Sequence, residues 1–131
     1  MNKVWQAATR QGDVEQVRHL LEDGADINAR DRYGQTALMN AARTGQVELV
    51  RLLVERGAAL NTTAKYHLTA LMLAIINGHT EISRILIHAG ADGSIRGTSA
   101  PGFYNKTAFR LAEERGQHEV IEWLKAAGVT E

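Results

Sequence analysis

Apolar residues in this chain come in short stripes at helical spacing, separated by single glycines. Between Val47 and Glu55, Leu49, Val50, Leu52 and Leu53 line one side of a predicted helix, while Glu48, Arg51 and Glu55 stay on the other. Gly57 follows, where a helix C-terminus favours a residue with positive φ. Upstream, Thr36 precedes Ala37 to Arg43 and is placed to cap a first helix by accepting a hydrogen bond from a free backbone N–H. Gly45 breaks the two helices apart, and Asp31-Arg-Tyr-Gly-Gln before them reads as a turn. The predicted unit is a turn, a helix over 37–43, a break and a helix over 47–55.

The unit recurs. Gly12, Gly45, Gly78 and Gly116 are spaced by 33, 33 and 38 residues. The same spacings relate Gly24, Gly57, Gly90 and Gly128, then Ala8, Ala41, Ala74 and Ala112, then Leu20, Leu53, Leu86 and Leu124, then Glu15, Glu48, Glu81 and Glu119. Five positions on one ladder define a 33-residue repeat with five extra residues before its last copy. The alanine ladder falls on the first helix, where a small side chain lets helices approach closely.

In these residues the chain resembles the ankyrin repeat. Gly34-Gln-Thr-Ala-Leu-Met-Asn-Ala-Ala-Arg-Thr-Gly45 and Val47-Glu-Leu-Val-Arg-Leu-Leu-Val-Glu-Arg-Gly-Ala58 carry the likeness, and Thr69 to Ala74, Thr107 to Ala112, Gly24 to Asn28 and Gly57 to Asn61 repeat parts of it. The resemblance implies an all-α ankyrin-repeat solenoid of four helix-turn-helix units joined by β-hairpin-like turns. It would form a single domain over 1–131, with repeats at about 1–30, 31–63, 64–96 and 97–131. The usual Thr-Pro-Leu-His reads Thr-Ala-Leu-Met twice and Thr-Ala-Phe-Arg once. Loss of that histidine removes an inter-repeat hydrogen bond and predicts a less stable array.

The end repeats read as polar caps, as a stacked array requires. Gln16 and His19 stand where the second repeat has Leu49 and Leu52; Lys125 replaces Leu21, Val54 and Ile87; Glu113 replaces Ala42. On this reading the array is complete.

Composition narrows the function. Apolar residues make up 44% and charged residues 23%, as in a folded domain rather than a disordered chain. Lysines and arginines equal acids at 15 each, so nothing in bulk draws the chain to nucleic acid or an anionic membrane. No apolar run reaches membrane-spanning length, no signal peptide is visible and cysteine is absent, so the expected location is the cytoplasm. No phosphate-binding loop or dinucleotide fingerprint is present. The five histidines, His19, His67, His79, His88 and His118, fall at five different repeat positions and read as surface or cap residues rather than metal ligands. No catalytic, cofactor-binding or metal site is expected, and the chain is not expected to be an enzyme. Two glycosylation sequons, at Asn61 and Asn105, are explained by turn and capping roles. Glu15/Arg18, Glu48/Arg51 and Glu81/Arg84 are i, i+3 pairs that support exposed helix faces.

The resemblance further implies binding along the concave side, through turn tips and the ends of the first helices. The residues at those positions are Arg32, Tyr33, Arg43, Lys65, Tyr66, Ile76, Phe103, Tyr104 and Arg115. All three tyrosines share one repeat position. Charge is also segregated: Arg10, Arg30, Arg32, Arg43, Lys65, Arg96, Lys106 and Arg115 fall on or near that side against Asp31 and Glu114, a local excess of six positive charges that suits an acidic protein segment. The insertion within 97–106 holds Pro101 and Phe103, the latter with no evident buried role. The expected function is a non-catalytic, monomeric adaptor or inhibitor that binds a protein. The alternative is a structural or assembly subunit acting through self-association, and nucleic-acid binding ranks below both.

Overall fold

A computed structural model describes residues 2–98 and 102–130. Within them the chain forms eight α-helices in four consecutive pairs: α1 (Lys3–Gln11) with α2 (Val14–Glu22), α3 (Ala37–Thr44) with α4 (Val47–Glu55), α5 (Ala70–Ile76) with α6 (Thr80–His88), and α7 (Ala108–Glu114) with α8 (His118–Ala126). Lys65–His67 form a tight turn in which Tyr66 and His67 are left-handed, and no strand occurs among the described residues. The first helices pack in a row, α1 on α3 on α5 on α7, and the second helices form a parallel row behind them. The expected 37–43 helix extends by one residue to Thr44, and the 47–55 helix is as expected.

The rows are held by the positions that repeat. Ala8, Ala41, Ala74 and Ala112 are buried where neighbouring first helices meet. Leu53, Leu86 and Leu124 are buried between the two rows, whereas Leu20 is only half-buried because α2 has no helix on its outer side. Thr36, Thr69 and Thr107 are buried and cap α3, α5 and α7 through their hydroxyls, accepting from the amides of Met39, Met72 and Arg110 at 3.2, 3.2 and 3.3 Å. Asn2 caps α1 with its side-chain oxygen. At the ends, Gln16, His19, Glu113 and Lys125 are exposed at positions where Leu49, Leu52 and Ala42 are buried and Val54 half-buried.

The histidine reading needs correction. His79 does not simply decorate the surface: its Nε2 lies 3.0 Å from the carbonyl oxygen of Arg43 in the preceding repeat. Gln117, at the same repeat position, donates to the carbonyl of Ile75 at 2.8 Å. The glycine ladder makes room for this reach, since a Cβ on Gly45 would stand 2.8 Å from the His79 ring. His67 joins the two ends of its own repeat, with Nδ1 2.9 Å from the carbonyl oxygen of Arg96. Asn28 and Asn61 each accept an amide hydrogen bond from the next repeat, from Ala59 and Asp92, both at 2.8 Å. The link that the Thr-Ala-Leu-Met stretches lack is therefore supplied at other positions, and Met39 and Met72 are buried instead.

Two stability measurements follow. Thr69→Ala leaves a buried helix N-terminus uncapped and should cost about 1 kcal/mol in urea unfolding, with Thr69→Ser losing less than half of that. His79→Ala should cost roughly 1 kcal/mol, while His79→Gln, which installs the residue found at that position in the second and fourth repeats, should unfold close to wild type.

Candidate partner-binding face

Each turn is closed by the same pair of backbone hydrogen bonds. Asp31 N–H donates to Gln35 and Gly34 N–H to Asp31, at 2.8 and 2.9 Å. Ala64 to Leu68 and His67 to Ala64 repeat this at 3.1 and 2.9 Å. Gly97 to Lys106 and Asn105 to Gly97 do so again at 2.9 and 2.8 Å, although five more residues separate the partners in sequence. A Cβ on Gly97 would meet the Phe103 carbonyl oxygen at 2.4 Å, so only glycine lets the longer loop close on the same frame. Gly34, His67 and Asn105 share a slot with positive φ, at 77°, 62° and 58°.

The three tyrosines share a sequence slot but not a conformation. In the first turn the Asp31 carboxylate accepts the amides of Tyr33 and Gln35 at 2.8 and 3.0 Å, and Tyr33 is 63% exposed. Ala64 stands in place of Asp31, so the second turn has no carboxylate to organise it. There Tyr66 itself takes a left-handed backbone, φ 64°, and is 37% exposed. The Tyr66 carbonyl accepts the Thr98 amide at 2.8 Å, which ties this turn to the start of the inserted loop. Tyr104 is 72% exposed. Arg32 Cζ and Lys65 Nζ each lie 5.0 Å from the ring centre of the adjoining tyrosine, a cation–π arrangement worth about 0.5–1 kcal/mol at an exposed site.

The remaining expected site residues are less alike. Arg43, at the end of α3, is exposed and donates to the Asn40 side chain at 3.0 Å. Ile76 and Phe103 pack half-buried against the core, so Phe103 does have a buried role. The inserted segment at 99–101, Pro101 included, lies outside the described residues. Arg115 follows α7 and sits 3.9 Å from Glu114.

Electrostatics divide the face. Arg10, Arg30, Arg32, Arg43, Lys65 and Arg96 form no ion pair among the described residues. Arg10, Tyr33 and Arg43 line one depression of about 180 Å³. Arg10 and Arg32 line a second of about 350 Å³ beside it. At the other end Glu114 receives Lys106 on both carboxylate oxygens, at 2.9 and 2.7 Å, with Arg110 at 3.7 Å and Arg115 at 3.9 Å. The hydrogen bond from Lys106, helped by the charges of Arg110 and Arg115, holds the Glu114 carboxyl below the ordinary carboxylate range. Tyr104, Lys106 and Arg110 line an open hollow of about 650 Å³ beside this cluster. No group of three or more candidate metal ligands occurs among the described residues.

A helical-repeat scaffold that presents turn tips and one row of helix ends is a binding architecture. The chain belongs to the ankyrin-repeat family: a family model described as ankyrin repeats, in three copies, matches residues 4–97. The fourth helix pair lies beyond the matched stretch and follows the same ladder. A 35-residue stretch is 57% identical to a mitochondrial disaggregase of Bos taurus, over 27% of this chain and 5% of that protein. The chain thus spans a small fraction of that relative's length, and the likeness amounts to about one repeat. Ankyrin repeats are in general protein–protein interaction modules and typically not catalytic. No helix among the described residues is long and apolar enough to cross a membrane.

The Glu114 cluster sets a pH dependence. A carboxyl lowered in the folded state contributes stability that is present above its unfolded value, near 4.5, and is lost as pH falls through the folded value. In a carbon-detected NMR titration Glu114 should titrate below 4.5. Lys106→Gln should move it back up; an unchanged midpoint in that variant would show that Lys106 is not the cause.

Proposed function

We propose that the chain is a non-catalytic binding module, an adaptor or inhibitor, that holds one protein partner along the concave face and turn tips. The observation that carries this reading is where apolar surface is left in the open. Among the described residues, Val4 and the three turn-tip tyrosines are the exposed large hydrophobics. A fold that buries or half-buries its other described large apolar side chains and leaves a row of tyrosines beside arginines and a lysine has the composition of a binding hot spot. Arg32, Tyr33, Arg43, Lys65, Tyr66, Tyr104 and Arg115 provide the contacts, with Ile76 and Phe103 as half-buried support. The reading takes residues 1–131 as one domain, monomeric and working in the cytoplasm, where a chain without cysteine is at no disadvantage.

The test is a triple variant, Tyr33→Ala, Tyr66→Ala and Tyr104→Ala, compared with wild type in pull-downs read by mass spectrometry, with circular dichroism as the folding control. A partner retained by wild type should bind the folded variant at least about tenfold more weakly. Equal recovery by both forms overturns the concave-face assignment. Self-association on a sizing column with no partner recovered would favour an assembly role.

A further inference from the structure

The cations of the concave face are not equivalent. At the α1–α3 end, Arg10, Arg32 and Arg43 surround two adjoining depressions that share Arg10 and Asp31. Asp31 is the single carboxylate there, and its oxygens are engaged by the amides of Tyr33 and Gln35 and the side chain of Asn40. None of the three arginines is ion-paired among the described residues. At the α7 end, Lys106, Arg110 and Arg115 converge on Glu114, and Arg110 also reaches Glu113 at 3.8 Å. That cluster is satisfied within the chain. Both ends are basic in sequence, but the α1–α3 end offers three cations without an ion pair among the described residues, and the α7 end only Arg96, which lines its hollow and donates to the Asn105 carbonyl at 2.9 Å.

We infer that the face is divided: an acidic stretch of the partner protein seats on Arg10, Arg32 and Arg43 beside Tyr33, while Glu114 acts as a built-in counter-ion that closes the α7 end to it. The inference rests on the concave-face reading and adds the partner's chemistry, its position and the residue that limits it. Arginine forks bind carboxylates in two-point geometry, and unpaired arginines keep that capacity available. An exposed cation whose counter-ion is already in place gains little from a second one, because the incoming carboxylate must compete with Glu114 and is repelled by it. Tyr33, held by Arg32 at the rim, supplies an apolar contact next to the charged ones. Nucleic acid is the weaker fit: tracking a phosphate backbone needs a continuous basic stripe, and this one is interrupted.

The test uses a fluorescein-labelled oligo-glutamate peptide, an oligo-lysine peptide of equal length and a single-stranded oligonucleotide, at low ionic strength and at about 0.15 M salt. Amide shifts of labelled protein locate the binding. Oligo-glutamate should bind and oligo-lysine should not, with shifts gathered around Arg10, Arg32, Tyr33 and Arg43. The double variant Arg10→Glu/Arg43→Glu should weaken binding at least about tenfold. Glu114→Gln should strengthen it about threefold and extend the shifts to Lys106 and Arg115. If Arg10→Glu/Arg43→Glu unfolds, Arg32→Gln/Arg43→Gln, with a smaller loss, replaces it, and the gain in Glu114→Gln stands as an independent readout. Shifts spread along the whole concave face and indifferent to Glu114→Gln overturn the division while leaving the concave-face reading intact. Shifts confined to α2, α4, α6 and α8 overturn both. No binding of oligo-glutamate, or stronger and steeply salt-dependent binding of the oligonucleotide, overturns the acidic-partner inference.

Discussion

A helix of seven to nine residues does not hold itself in water, because nucleation costs more than so few hydrogen bonds return. Every α-helix described here is that short. Each exists only because an apolar side of it is covered by its neighbours in the array. Burial of the alanine ladder between first helices and of the leucine ladder between the rows is therefore the interaction on which everything else depends. It also explains why the repeat is so strict: one shifted position would remove the same contact from two neighbours at once.

Stacking alone would leave the ends of the helices with unpaired backbone groups inside the array. The buried threonine caps answer this on the first helices. Across repeats, His79 and Gln117 reach back to a carbonyl of the preceding unit, and Asn28 and Asn61 tie repeat ends together. These polar links do not replace the apolar contacts. They fix the angle between units, and so the line along which the turn tips stand.

A rigid line of tips can be specialised without touching the core. The five extra residues before the last repeat leave the closing hydrogen bonds of their turn in place, because Gly97 accepts the close approach of Phe103. Tyr66 adopts a left-handed backbone that the flanking turns do not need, and its carbonyl is held by Thr98. Charge is arranged with the same freedom: α7 carries its own counter-ion, and α1 and α3 do not. The face formed by the turn tips is thus varied residue by residue over a constant frame.

Much of this was legible in the residues. The 33-residue period, the glycine breaks, the threonine caps, the extent of α4 and the polar ends all follow from local rules that act within one repeat or between identical positions. The slot shared by the three tyrosines was legible too. What the sequence did not disclose is whatever depends on two repeats meeting. His79 reads as a surface residue until its ring is seen over Gly45, and Phe103 reads as a loop residue until it is seen packed half-buried against the core. Most of all, Lys106 and Arg115 count as free positive charge in a sequence tally but are satisfied by Glu114, whereas Arg10 and Arg43 have no ion-pair partner among the described residues. Periodicity specifies which residues share a face; only the tertiary structure decides which of them touch, because an ion pair depends on a few ångströms of side-chain placement that no spacing rule contains.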